Sequence, residues 1–152
     1  MSAAAPIART RTDQRSFVSK SSKAAAISRV PLFSRCSKRQ LNEIAMLADE
    51  IDLPAGRTLT KEGSRGREFF VILEGSAEVR RNGELIGSLC GGDFLGEVAL
   101  VTDVPRTATV TTTTPVHVLV VATREFRQLL RTSPEIQGKV LEAVAERLAA
   151  LV

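Results

Sequence analysis

Glu97 and Arg106 lie within a glycine-bearing stretch that runs from Gly91 to Val110. Gly91, Gly92 and Asp93 suit a tight turn. Gly96, Glu97, Val98, Ala99 and Leu100 suit one helical turn, and Arg106, Thr107, Ala108 and Thr109 follow a short polar loop. Gly96 lets a ligand approach backbone with no side chain in the way. A helical turn leaves its first N–H groups unsatisfied, so it favours an anion. Arg106 adds a permanently charged fork that matches a phosphate. Glu97 accepts only, so it suits a hydroxyl donor and not the phosphate itself. Taken singly, the two charges could simply pair on a loop, worth about 0–1 kcal/mol when exposed, and the glycine turn could be an ordinary one. Taken together, the string points to a phosphate cradle beside a hydroxyl acceptor.

Other chemistries fail by count. A metal-dependent jelly-roll enzyme needs two or three histidines at one mouth, and His117 is the chain's one histidine, read as a structural residue on a strand. Nucleophilic catalysis lacks a G-x-S-x-G motif and a spare histidine base. Cys36 and Cys90 have no metal-binding spacing, and an iron–sulfur site wants four cysteines. Glu97 has no second carboxylate near it in sequence, and a neighbouring Arg106 would keep it ionised and weakly basic. The sequence therefore predicts no enzyme, no cofactor and no metal.

A phosphate beside a free hydroxyl is what a cyclic nucleotide presents. Phe94-Leu95-Gly96-Glu97-Val98-Ala99-Leu100, a spacer, and Pro105-Arg106-Thr107-Ala108-Thr109 resemble the phosphate-binding cassette of cyclic nucleotide-binding domains. That family includes the catabolite activator protein and the regulatory subunits of cAMP-dependent kinase. The resemblance implies that Glu97 binds the ribose hydroxyl and Arg106 the phosphate. Thr107 would add a hydroxyl contact, and backbone around Gly96, Ala99 and Ala108 would donate N–H groups, with Val98 and Leu100 completing the cassette. Arg147, from its place on the last helix, is the candidate to cap the base. The ligand is cAMP or cGMP, with cAMP favoured. The expectation is a stand-alone regulatory sensor that signals through a partner protein by moving its C-terminal helices. The alternative is an interaction or dimerisation module that keeps the fold without a nucleotide-dependent role. Regulators of the family carry a DNA-reading helix-turn-helix after the last helix. Here Val152 follows too soon for one, so sequence-specific DNA binding is not expected.

The elements that must hold this cassette are legible in outline. Residues 1–26 carry five basic residues against Asp13 and little apolar periodicity, so they read as a disordered basic arm. The remaining residues balance 16 basic against 16 acidic, so the net charge of +4 belongs to the arm. Residues 27–152 read as one domain. Residues 26–33 suggest a helical turn stopped at Pro31. Ser37 and Gln40 form a capping box, ahead of Leu41, Ile44, Ala45 and Ala48 at helical spacing. This completes N-terminal helices over 27–49. A β-roll is expected over 50–121, with the cassette at 91–110. Its signals are the Asn82-Gly83 hairpin and the β-branched runs at 107–113 and 116–121. Two helices are expected over 123–152, the first capped by Thr123. The second is started by Ser133 and Pro134, with an apolar stripe of Ile136, Val140, Val144, Leu148 and Leu151; it could also form a homodimer. The fold class is mainly β with flanking helices (α+β), an antiparallel β-roll or jelly roll. No apolar run reaches the ~20 residues of a membrane span, and the start lacks the apolar centre of a secretory signal. A cytoplasmic protein with reduced thiols is expected.

Overall fold

The strongest local instruction in the chain is Asn82-Gly83. In the computed structural model, which describes residues 20–150, these two take φ of +53° and +81°, as a two-residue type I′ turn requires. The turn joins β4 (Ser76–Arg81) to β5 (Glu84–Cys90) in an antiparallel hairpin. Around it are β1 (Asp49–Leu53), β2 (Thr58–Thr60), β3 (Glu68–Glu74), β6 (Phe94–Leu95), β7 (Thr109–Thr112) and β8 (Val116–Ala122). They form two antiparallel four-stranded sheets, β1-β8-β3-β6 and β2-β7-β4-β5. Helices α1 (Lys20–Ile27) and α2 (Lys38–Ala45) precede the roll, with a 3₁₀ turn at Pro31–Phe33 between them. Helices α3 (Thr123–Thr132) and α4 (Pro134–Ala150) follow it. The α+β class expected from sequence is the fold found.

β3 and β8 are apolar at nearly every position because both of their faces are covered. Phe69, Val71, Leu119 and Val121 point to the helices and pack with Ile27, Phe33, Ile44, Phe126 and Ile136. Phe70, Ile72, Val116, Val118 and Val120 point into the roll with Ala77, Leu95 and Val110. Phe33 stacks edge-on against Phe69 at 6.0 Å and tilted against Phe126 at 5.6 Å, spacings at which aromatic pairs attract. One strand pair thus ties the helical layer to the roll.

The capping box forms: Ser37 Oγ accepts from the Gln40 amide and the Gln40 side chain accepts from the Ser37 amide. Ile44, Ala45 and Ala48 are buried as their spacing predicts.

Three expectations need correction. Residues 20–26, assigned to the arm, form most of α1. The helix buries Ala24 and Ile27, and Lys23 Nζ donates to the Ala48 carbonyl at 3.1 Å. The short alanine-rich segment gains its order from packing on α2, which propensity alone does not reveal. Pro31 does not stop this helix; it opens the separate 3₁₀ turn. Thr123 does not cap α3: Ala122 holds the N-cap position with no side-chain bond, and the buried Thr123 hydroxyl has no partner. By contrast Ser133 Oγ accepts from the Ile136 amide at 3.4 Å, starting α4. The stripe on α4 is buried at Ile136 and Val140 but emerges at Leu148. Residues 1–19 and Leu151 lie outside the described residues.

Candidate functional site

Gly96 takes φ +85°, a left-handed conformation that other residues rarely adopt. It launches the 3₁₀ turn Glu97–Leu100. Ala99 donates its amide to the Gly96 carbonyl at 3.1 Å, so that amide, one of the expected ligand donors, closes the turn in this structure. Ala99 and Leu100 are buried beneath the turn, while Val98 is exposed.

Arg106 is held by its backbone and by two glycines. Its amide donates to the Ser64 carbonyl at 2.7 Å, and its carbonyl accepts from Gly63 at 2.8 Å. The guanidinium lies between Gly66 and Gly96. A Cβ on Gly66 would come within 2.7 Å of Arg106 Cζ and 2.8 Å of the Ala99 Cβ. Neither glycine can therefore carry a side chain without displacing the arginine. Nη2 donates to the Glu68 carbonyl. Burial pushes the Arg106 guanidinium below its ordinary value, and the Glu68 and Glu97 carboxylates oppose that push.

Both residues face a cavity of about 310 Å³, within the range of small-molecule pockets. Gly96, Glu97, Val98, Ala99, Arg106, Thr107 and Ala108 all line it. Leu100 supports it from the core. The opposite wall, which the cassette pattern does not reveal, is apolar: Val79, Leu89, Phe94, Leu95 and Val110, with Thr60 and Arg81 at its edge. Pairing of Val79 with Val110 and Arg80 with Thr109 brings this wall to the cassette. Arg81 Nε donates to the Thr107 carbonyl at 3.0 Å, and Thr60 Oγ1 donates to the Ala108 carbonyl at 3.1 Å. The polar end of the cavity is thus buttressed from β2 and β4. Among the described residues lining it there is one carboxylate, Glu97, and no histidine or cysteine.

Arg127 on α3 reaches the far side of the same turn. Its guanidinium donates to the carbonyls of Ala99 and Thr102 at 3.0 Å each and pairs with Asp103 at 3.2 Å. It is a second site-supporting residue that the motif does not flag. No described residue of α4 lines the cavity, and the side chain of Arg147 lies outside the described residues. Helix α4 packs on the Pro31–Phe33 turn and α3, and Arg35 forms a two-pronged ion pair with Glu146. Among the described residues no helix forms a lid over the cavity.

His117, expected to be structural, sits buried between two carboxylates. Nδ1 is 2.7 Å from Asp52 Oδ1 and Nε2 is 2.7 Å from Glu50 Oε1. It cross-links β8 to β1, away from the cavity. No group of histidine, cysteine and acidic residues suited to a metal occurs among the described residues. Burial pushes the Cys36 thiol up, which disfavours the reactive thiolate. Among the described residues no helix is long and apolar enough to cross a membrane.

The model of one family, the cyclic nucleotide-binding domain, matches residues 50–133. The regulatory subunit of a cAMP-dependent protein kinase from Mycosarcoma maydis is 37% identical over 110 residues, 66% of this chain and 21% of that protein. A cyclic nucleotide-gated potassium channel from Rhizobium etli is 33% identical over 121 residues, 80% of this chain and 34% of that protein. The chain thus spans about a fifth to a third of the length of these curated relatives. The N-terminal domain of a transcriptional regulator from Streptomyces coelicolor superposes with a TM-score of 0.76 at 30% identity, covering 83% of this chain and 94% of that one.

Proposed function

Because the chain belongs to the cyclic nucleotide-binding domain family, we propose that its cavity takes cAMP in preference to cGMP and that binding is relayed to a partner protein. One observation carries this reading. A single cavity of about 310 Å³ has Arg106, Glu97 and Thr107 at one end and an apolar wall at the other. The Arg106 guanidinium, partly desolvated with the Glu68 and Glu97 carboxylates beside it, gains a phosphate. Glu97 accepts from the ribose hydroxyl, and Thr107 donates to a phosphate oxygen. Val79, Leu89 and Val110 exclude water from the sugar and base, which strengthens the charged contacts. The kinase regulatory subunits among the relatives support the choice of cAMP. The lone carboxylate of the cavity supports binding without catalysis.

The relay follows from the two arginines outside the cavity. Arg127 grips the cassette turn from α3, so a turn that tightens on a phosphate pulls that helix. Helix α4, which carries the Glu146 partner of Arg35, is the element that then closes, bringing Arg147 toward the base. Such differential contact is what turns binding into a switch. A second reading, dimerisation through α4, is supported by Leu141 and Leu148. They are 63% and 60% exposed and, at i and i+7, share a helix face.

Titration with cAMP and cGMP side by side, followed by thermal stability, tests the reading. Ligand at ~100 times its Kd should stabilise the fold by about 2.7 kcal/mol. A melting temperature unmoved by either nucleotide would refute it.

A further inference from the structure

A second cleft, of about 600 Å³, opens behind the cassette between α3 and the chain entering β3. It is lined by Arg65, Arg67, Arg124, Arg127 and Arg131 against only Glu68 and Asp103. Arg127 is occupied by Asp103 and the cassette carbonyls. Among the described residues the other four arginines have no carboxylate partner. Thr123, 7% exposed, also lines the cleft, and its hydroxyl is unpartnered. Gathering like charges in one concavity is unfavourable unless an anion relieves it.

We propose that this cleft docks an acidic segment of a partner protein. Arg124, Arg127 and Arg131 fall at i, i+3 and i+7 on one face of α3, a stripe ~10 Å long at 1.5 Å per residue. Arg65 and Arg67 form the facing wall. Acidic side chains on alternate residues of an extended segment recur every ~7 Å, and each carboxylate can take a guanidinium fork bidentately. Nucleic acid is the poorer fit, since no aromatic residue lines the cleft to stack a base. The position singles this face out from other basic surface. The cleft shares Gly66 and Glu68 with the packing of Arg106, so a docked segment would rest against the back of the cassette. The docking itself does not depend on the cyclic nucleotide reading.

The test is fluorescence anisotropy of the full chain, without nucleotide, using labelled hexaglutamate as probe and hexaglutamine as control. The chain should bind hexaglutamate and not hexaglutamine. R124E/R131E should weaken binding at least tenfold, whereas K38E/R39E, an equal charge change on exposed residues of α2, should weaken it less than threefold. R65E/R67E on the opposite wall should reproduce the loss should the helix variant fail to fold. Absence of hexaglutamate binding, or equal loss in the α2 variant, overturns the proposal. So does tighter binding of pyrophosphate or of a single-stranded oligonucleotide with the same number of charges. Failure of cAMP to bind leaves this result standing, so the two readings fail separately.

Discussion

Arg106 is expensive to place. Its guanidinium is partly desolvated, and two positions, Gly66 and Gly96, must lack side chains to admit it. Such an arrangement makes sense where an anion completes the site. Replacing Arg106 by alanine should weaken cyclic nucleotide binding by about 2–5 kcal/mol, since it strands one partner of a buried charge pair; calorimetry reads this directly. Wild-type affinity in that variant would mean the phosphate lies elsewhere. Glu97→Gln keeps an acceptor but loses the charge, so it should cost only about 1–2 kcal/mol. It should also erode discrimination against the 2′-deoxy nucleotide. The motif made Arg106 and Glu97 legible because their chemistry is local to one loop. Gly66 was not legible, because its reason for being glycine is a side chain 40 residues further along the chain.

At the scale of elements, the informative contacts are those that join cassette to helices. Arg127→Ala removes hydrogen bonds from a charged donor to several carbonyls. It should lower stability by about 1–3 kcal/mol, measured by urea denaturation. Cyclic nucleotide should still bind, but the shift of α3 amide resonances on binding should shrink. The Arg35–Glu146 pair makes a pH-dependent statement about α4. Its hydrogen bond and charge hold the Glu146 carboxyl below the ordinary value of 4.5. A depressed carboxylate contributes fully above the unfolded value and loses its contribution as pH falls through the folded one. The tether of α4 should therefore weaken below about pH 4.5. Amide resonances of α4 should report that step, and Glu146→Gln should abolish it. Helix periodicity placed α3 and α4 correctly but gave Thr123 the wrong role. A threonine before an apolar face looks like a cap, yet here the chain turns one residue earlier, on Ala122, and the hydroxyl is buried instead.

Considered whole, the molecule is a double-faced strand pair, β3 and β8, with helices on one side and the roll and its cavity on the other. No described residue lining the cavity precedes Thr60. Removing residues 1–19 should therefore leave nucleotide affinity unchanged within twofold. Removing residues 1–26 should lower the melting temperature without altering the cavity, because α1 buries Ala24 and supports α2 through Lys23. A large affinity loss in the shorter deletion would place the N-terminal residues in the site.

The sequence by itself determined the hairpin at Asn82-Gly83, the cap at Ser37, the start of α4 at Ser133 and the single helical turn that follows Gly96. Each depends on residues a few positions apart, whose dihedral and hydrogen-bond needs are met within the segment. Only the tertiary structure decided the apolar wall opposite the cassette, the Arg127 grip, the cross-link through His117 and the arginine-lined cleft. These join residues from separate strands and helices, and strand pairing and helix packing, which a linear pattern does not encode, set which of them meet.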